Sequence, residues 1–168
     1  MAILKDIEAA IPGLRRYAHA LVRDRDAADD LVQDCLERAV ARRADWRGEG
    51  PLKAWLFRIL LNCHRDQLRR RPDVGHLVTV DDLPFEPSSA GGQDAHMSLS
   101  EVGTAIDRLP VDQRRALLLV ALEGMSVQQA ALALEIPEGT LMSRIARARA
   151  SLRSMTDREI NEKAKGRP

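Results

Sequence analysis

Ser143, Arg144, Arg147 and Arg149 fall on one outward face of a helix near the C-terminus, as the sequence spacing has it. Guanidinium and hydroxyl groups so arrayed can enter a major groove and pair with guanine edges or phosphates. Two apolar stripes would hold that face in place. Val127, Ala130, Ala131 and Leu134 form one and Leu141, Ile145, Ala148 and Leu152 the other, each at helical spacing. Between them Ile136-Pro137-Glu138-Gly139-Thr140 ends one helix and starts the next, because proline fits a first turn and not an interior. The stretch from Gly124 to Arg153 therefore predicts a helix-turn-helix. A plain helical hairpin with a solvated basic face satisfies the same pattern.

Two more constellations precede it. On a predicted helix whose apolar stripe is Leu31, Val32, Cys35, Leu36, Ala39 and Val40, the residues Asp29, Asp30, Gln33, Asp34 and Glu37 gather on the opposite side. Such an acidic and amide face suits a basic partner surface, although a charge run is also the ordinary form of a solvated face. A following helix carries Leu52, Trp55, Leu56, Ile59, Leu60 and Cys63 inward and ends in Arg69-Arg70-Arg71. Trp46 lies in the polar loop before it, where an indole has no evident core role; base contact and packing on the bundle both account for it. Trp55 falls on the apolar stripe and is expected in the core.

The elements that position these groups predict an all-α chain of two small helical domains. Leu14, Tyr17, Ala18, Leu21 and Val22 mark the first helix, and Arg23-Asp24-Arg25-Asp26 supplies a turn and a capping carboxylate. Three helices make a bundle over 1–71. A helix from about Ser98 to Arg108, another over about Asp112 to Glu123 stopped by Gly124, and the helix-turn-helix make a second unit over 98–156. Residues 72–97, with Pro72, Pro84, Pro87, Gly91 and Gly92 and no helical period, predict a flexible acidic linker, and 157–168 a polar, frayed tail. Charge follows the same division. Residues 1–71 and 108–168 each carry a net +4, while 72–107 carry −7 without a single lysine or arginine. The overall +1 is the sum of opposed blocks.

Several classes are excluded on chemistry. Phosphate loops, paired catalytic carboxylates and a nucleophile beside an orienting base are missing from the sequence, so no enzyme and no catalytic residue is expected. Cys35 and Cys63 sit on apolar stripes and read as buried thiols. The pair Cys63-His64 lacks further ligands, so no metal and no cofactor is expected. No apolar run spans a bilayer and no signal pattern opens the chain, which predicts a cytosolic protein without membrane insertion.

These blocks, in this order, resemble the ECF (group IV) sigma factors of the bacterial sigma-70 family. The resemblance rests on Asp29-Asp30-Leu31-Val32-Gln33-Asp34 with Leu36-Glu37-Arg38-Ala39, and on Trp46-Arg47-Gly48 with Leu52 to Ile59, Asn62, Asp66 and the arginine run. Leu109-Pro110 with Gln113-Arg114, and Gly139-Thr140-Leu141, Ser143-Arg144 and Arg147-Ala148-Arg149, complete it. It implies a transcription initiation factor that binds core RNA polymerase and promoter DNA. Asp29, Asp30, Gln33, Asp34 and Glu37 would then dock on polymerase. Trp46 and Asn62 would hold a flipped base of the −10 element, with Arg65, Arg69, Arg70 and Arg71 on the phosphates. Met142, Ser143, Ala146 and Arg147 would face −35 bases, with Arg144 and Arg149 nearer the backbone and Thr140 also on the −35 duplex. Met142 stands where a basic residue is common in the family, and Ala146 where some members have a larger side chain, so the −35 sequence cannot be transferred from a relative. Arg114 and Arg115 fit either phosphate contacts or a solvated face. Family members are commonly restrained by an anti-sigma factor, which the resemblance adds as a partner. Asp81, Asp82 and Glu86 fit an RNA-like strand in the exit path or a plain solubilising tether. Apart from the resemblance, a one-component DNA-binding regulator and an adaptor bundle that never meets DNA are the competing readings.

Overall fold

The computed structural model describes residues 2–71 and 101–165, with side chains through residue 158. All regular structure among them is helical: α1 (Ala2–Leu21), α2 (Arg25–Ala41), a single 3-10 turn (Arg43–Asp45), α3 (Leu52–Arg70), α4 (residues 101–107), α5 (Val111–Ala121), α6 (Val127–Leu134) and α7 (Glu138–Lys165). The predicted linker, including Asp81, Asp82 and Glu86, lies outside the described residues.

Local chemistry sets the boundaries. Asp24 adopts an extended backbone and its carboxylate accepts from the Asp26 and Ala27 amides at 2.9 and 3.2 Å. It caps α2 as the sequence predicted, a contribution of about 1 kcal/mol. Gly124 ends the turn after α5 at φ +63°, a left-handed conformation that glycine adopts without a Cβ clash. Ser126 and Gln129 then form a reciprocal capping box at the start of α6. α1 begins at Ala2, well before the predicted stripe, and runs through Pro12; Ile7, Leu14 and Leu21 keep its buried face in register.

Leu14, Tyr17, Leu31, Cys35, Leu56 and Leu60 are fully enclosed in the first bundle, where Tyr17 meets Phe57 edge-on at 5.2 Å. Both cysteines are buried free thiols, as expected. In the second unit Leu119, Leu134, Leu141 and Ala148 close the core. The predicted frayed tail is corrected: α7 continues unbroken to Lys165. No glycine or proline stands between Thr140 and Lys165, and the segment is rich in good helix formers, so nothing stops the helix at residue 156.

The two units pack directly on one another, an arrangement the sequence left open. α1 and α3 face α5 and α6 across a seam that joins both apolar cores. Polar groups fill the rest of this seam. The Tyr17 hydroxyl donates to the Arg115 carbonyl at 3.0 Å, Arg114 donates to the Leu21 carbonyl at 3.3 Å, and Arg23 pairs with Asp107.

Candidate nucleic-acid interface

α7 builds the first surface. Leu141, Ile145 and Ala148 anchor it in the core, which turns Thr140, Met142, Ser143, Ala146, Arg147 and Arg149 outward, with Arg144 half-buried at the margin. Met142 is 54% exposed, so this outward face carries a thioether, which offers no hydrogen-bond donor. The Ser143 hydroxyl donates to the Gly139 carbonyl one turn back at 3.1 Å and retains its acceptor pairs. Glu135, at φ 55°, makes the tight turn between α6 and α7.

Arg114 and Arg115 do not belong to this surface. Arg115 is 4% exposed, and its guanidinium donates to His64 Nδ1 at 2.9 Å, while Arg114 spends its donors on the Asp107, Leu109 and Leu21 carbonyls. The phosphate role considered for them is corrected. Arginine with five donors can bridge several carbonyls, and here that capacity joins the two units.

The second surface lies along α3. Trp46 is half-buried against Trp55, ring centroids 5.7 Å apart, and Trp55 itself lies in the core as expected. These rings, with Glu49, Gly50, Pro51 and Arg58, line a small cleft. Asn62 and Arg65 are half-buried one turn apart, with Arg65 donating to Asn62 Oδ1 at 3.3 Å; Arg69, Arg70 and Arg71 are exposed beyond them. The structure thus brings Asn62 and Arg65 together and sets them on the same helix as the arginine run. Arg38 donates to Asp66 at 2.8 Å and holds that carboxyl below the usual carboxylate range.

The third surface is the outer face of α2. Asp29, Asp30, Gln33 and Glu37 are exposed, and Gln33 donates to Glu37 at 3.3 Å. Asp34 is half-buried and takes a 3.5 Å contact from Gln67 of α3. Asp29 pairs with Arg15 at 3.6 Å and lies within hydrogen-bond distance of His19 Nε2 at 3.0 Å. Among the described residues no cluster of His, Cys, Asp and Glu could hold a metal ion, and no helix is long and apolar enough to cross a membrane.

Sequence reasoning missed the seam's own ionisable groups. The Glu123 carboxylate has no solvent exposure; Arg16 grips it through two 3.0 Å contacts and Lys53 Nζ lies 3.6 Å away. His64 is buried, and burial, reinforced by the charges of Arg115, Arg114, Arg71 and Arg65, pushes its imidazole down to about 4. No local pattern signals either residue, since each is polar and its partner is distant in sequence. A histidine held near 4 when folded and near 6.5 when unfolded leaves more protons on the unfolded chain between those values. The folded form is therefore stabilised above about pH 6.5 and loses that advantage as pH falls towards 4. Urea denaturation is expected to show stability about 2 kcal/mol lower at pH 5 than at pH 7.5 from this group, and His64→Gln is expected to flatten that slope.

Residues 7–61 match the Sigma2 domain of PhyR, and residues 99–152 match Sigma-70, region 4. The chain is 40% identical over 156 residues to the ECF RNA polymerase sigma factor EcfG of Rhodopseudomonas palustris, covering 89% of this chain and 82% of that one. It is 35% identical over 139 residues to SigM of Mycobacterium tuberculosis, covering 83% and 69%. Among solved structures it resembles the sigma factor RpoE of Bartonella quintana in complex with the anti-sigma factor NepR, with a TM-score of 0.80, 32% identity and coverage of 93% and 97%. CnrH in complex with the cytosolic domain of CnrY gives a TM-score of 0.67 at 28% identity, covering 91% and 86%. The two domain matches and these relatives place the chain among the RNA polymerase sigma factors. Within that class the chain belongs to the ECF sigma factors.

Proposed function

We propose that the three surfaces divide the work of promoter-specific initiation. The bundle over 1–71 binds core polymerase through Asp29, Asp30, Gln33, Asp34 and Glu37. It reads the unpaired −10 strand through Trp46, Asn62, Arg65, Arg69, Arg70 and Arg71. The unit over 98–156 reads the −35 duplex through Thr140, Met142, Ser143, Arg144, Ala146, Arg147 and Arg149, and residues 72–97 join the two. The observation that carries this reading is the outward array from Thr140 to Arg149, set above a fully buried Leu141 and Ala148. A helix so anchored presents rigid side chains to a groove. An anti-sigma factor is the matching regulator, and the related RpoE has been solved in complex with the anti-sigma factor NepR.

Transcription by purified core polymerase, with and without the chain, across promoters of the source genome tests the whole reading. Specific initiation that depends on the chain supports it, and no gain at any promoter overturns it. For the −35 contact, Arg147→Ala is expected to weaken binding of holoenzyme to a promoter duplex by roughly five- to 150-fold, the range for one lost base contact of about 1–3 kcal/mol. Electrophoretic mobility shift against promoters altered base by base should show the lost discrimination at one −35 position.

A further inference from the structure

Met142 is the most exposed large apolar side chain among the described residues, and it stands on α7, the helix proposed to read the −35 duplex. The core does not hold it. Around the helix axis, at about 100° per residue, Leu141, Ile145 and Ala148 mark the inward direction. Ser143 then points outward, with Thr140 and Arg147 on one flank and Met142 and Ala146, one turn apart, on the other. Arg149 and Arg153 follow the second pair along its flank, all of these side chains being exposed. The part of α7 nearest its N-terminus is thus divided lengthwise: hydroxyl and guanidinium groups on one side, a thioether and a methyl on the other.

An apolar side chain finds one matching group in a major groove. Guanine N7 and O6, adenine N7 and thymine O4 are acceptors, and the adenine and cytosine amino groups are donors, none of which suits a thioether. Thymine adds a hydrocarbon, its 5-methyl. Methionine fits that group well, because three rotatable bonds and a soft sulfur let the side chain settle on it, and Ala146 is too short to compete for the same base. Contact also removes the exposed thioether and the methyl from water together. Ser143 beside it agrees. Its proton is committed to the Gly139 carbonyl at 3.1 Å, so towards the groove it accepts, and the donors it meets there are the amino groups of adenine and cytosine. A guanine edge, which presents acceptors in the major groove, matches neither residue.

We infer that Met142 reads thymine: in the −35 duplex its thioether packs on the 5-methyl of one thymine and gives α7 a preference for an A·T pair at that position. This rests on the assignment of α7 to the −35 element and adds which base one of its side chains selects. Guanine reading is left to Arg147 on the opposite flank. Truncating Met142 should leave the fold intact, since an exposed side chain clear of caps and core contacts contributes little to stability.

The test uses holoenzyme and a fluorescein-labelled duplex of a promoter that it transcribes, with each −35 thymine on either strand replaced in turn by deoxyuridine. That exchange removes the 5-methyl and leaves every hydrogen-bonding edge in place. Fluorescence anisotropy reads the affinities. For the wild-type chain one position is expected to lose roughly fourfold in affinity, the effect of one buried methyl-sized group. Met142→Ala is expected to bind the unmodified duplex more weakly by at least that factor and to ignore the exchange at that position, whereas Met142→Leu keeps most of the methyl sensitivity. Equal deoxyuridine losses in wild type and Met142→Ala, or no sensitive position in the wild type, overturn the inference. A scrambled −35 element and Arg147→Ala separate this result from the −35 assignment itself. If both weaken binding while the deoxyuridine scan is flat, α7 still reads the −35 duplex and only the thymine contact falls. If neither changes affinity, the −35 assignment fails and the inference falls with it.

Discussion

Converting Asp30 and Glu37 together to lysine is expected to abolish association with core polymerase, weakening it a hundredfold or more. Both side chains are exposed on α2, one on each side of Gln33, and face away from the buried stripe of Leu31, Cys35 and Ala39. Two lysines there would set like charge against a basic partner surface, which costs several kcal/mol. The fold should not suffer, because exposed substitutions clear of caps and core contacts usually change stability by about 0.5 kcal/mol or less. Fluorescence anisotropy of labelled protein titrated with core polymerase checks the loss, and an unchanged thermal midpoint assigns it to the surface. Affinity within about threefold of wild type would remove polymerase docking from this face.

Trp46→Ala is expected to reduce open-complex formation by roughly five- to 150-fold, the range for one lost stacked base of about 1–3 kcal/mol. Binding of holoenzyme to closed duplex should change far less, since the proposed −35 contacts lie on α7. Trp46 also packs on Trp55, so the variant's stability must be measured beside its activity. Trp46→Phe separates the two roles: it keeps an aromatic face in the cleft and should recover much of the opening rate. Permanganate reactivity of unpaired thymines around the start site reports the opening directly. Full opening by Trp46→Ala would reduce this indole to a packing residue.

Much of the fold was legible because it follows from neighbours in the chain. The stripe Leu141, Ile145, Ala148 and the cap at Asp24 depend on residues three or four positions apart, and so does the acidic face of α2. Where local signals were weak the reading erred. The polarity of the segment after Thr156 suggests a frayed end, whereas α7 continues to Lys165 because no helix breaker stands before Gly166. Arg114 and Arg115 looked like surface charge, because no periodicity distinguishes an arginine that meets solvent from one that meets a distant carbonyl.

The sequence by itself determined the helices, the outward array from Thr140 to Arg149, and the family resemblance, all of them carried by short-range spacing. Tertiary structure alone decided that α6 lies over α3. That arrangement rests on partners far apart in the chain: Arg16 with Glu123, 107 positions away, and Tyr17 with Arg115, 98 positions away. A buried carboxylate is tolerable only when cations enclose it, and only the folded chain brings Arg16 and Lys53 to Glu123.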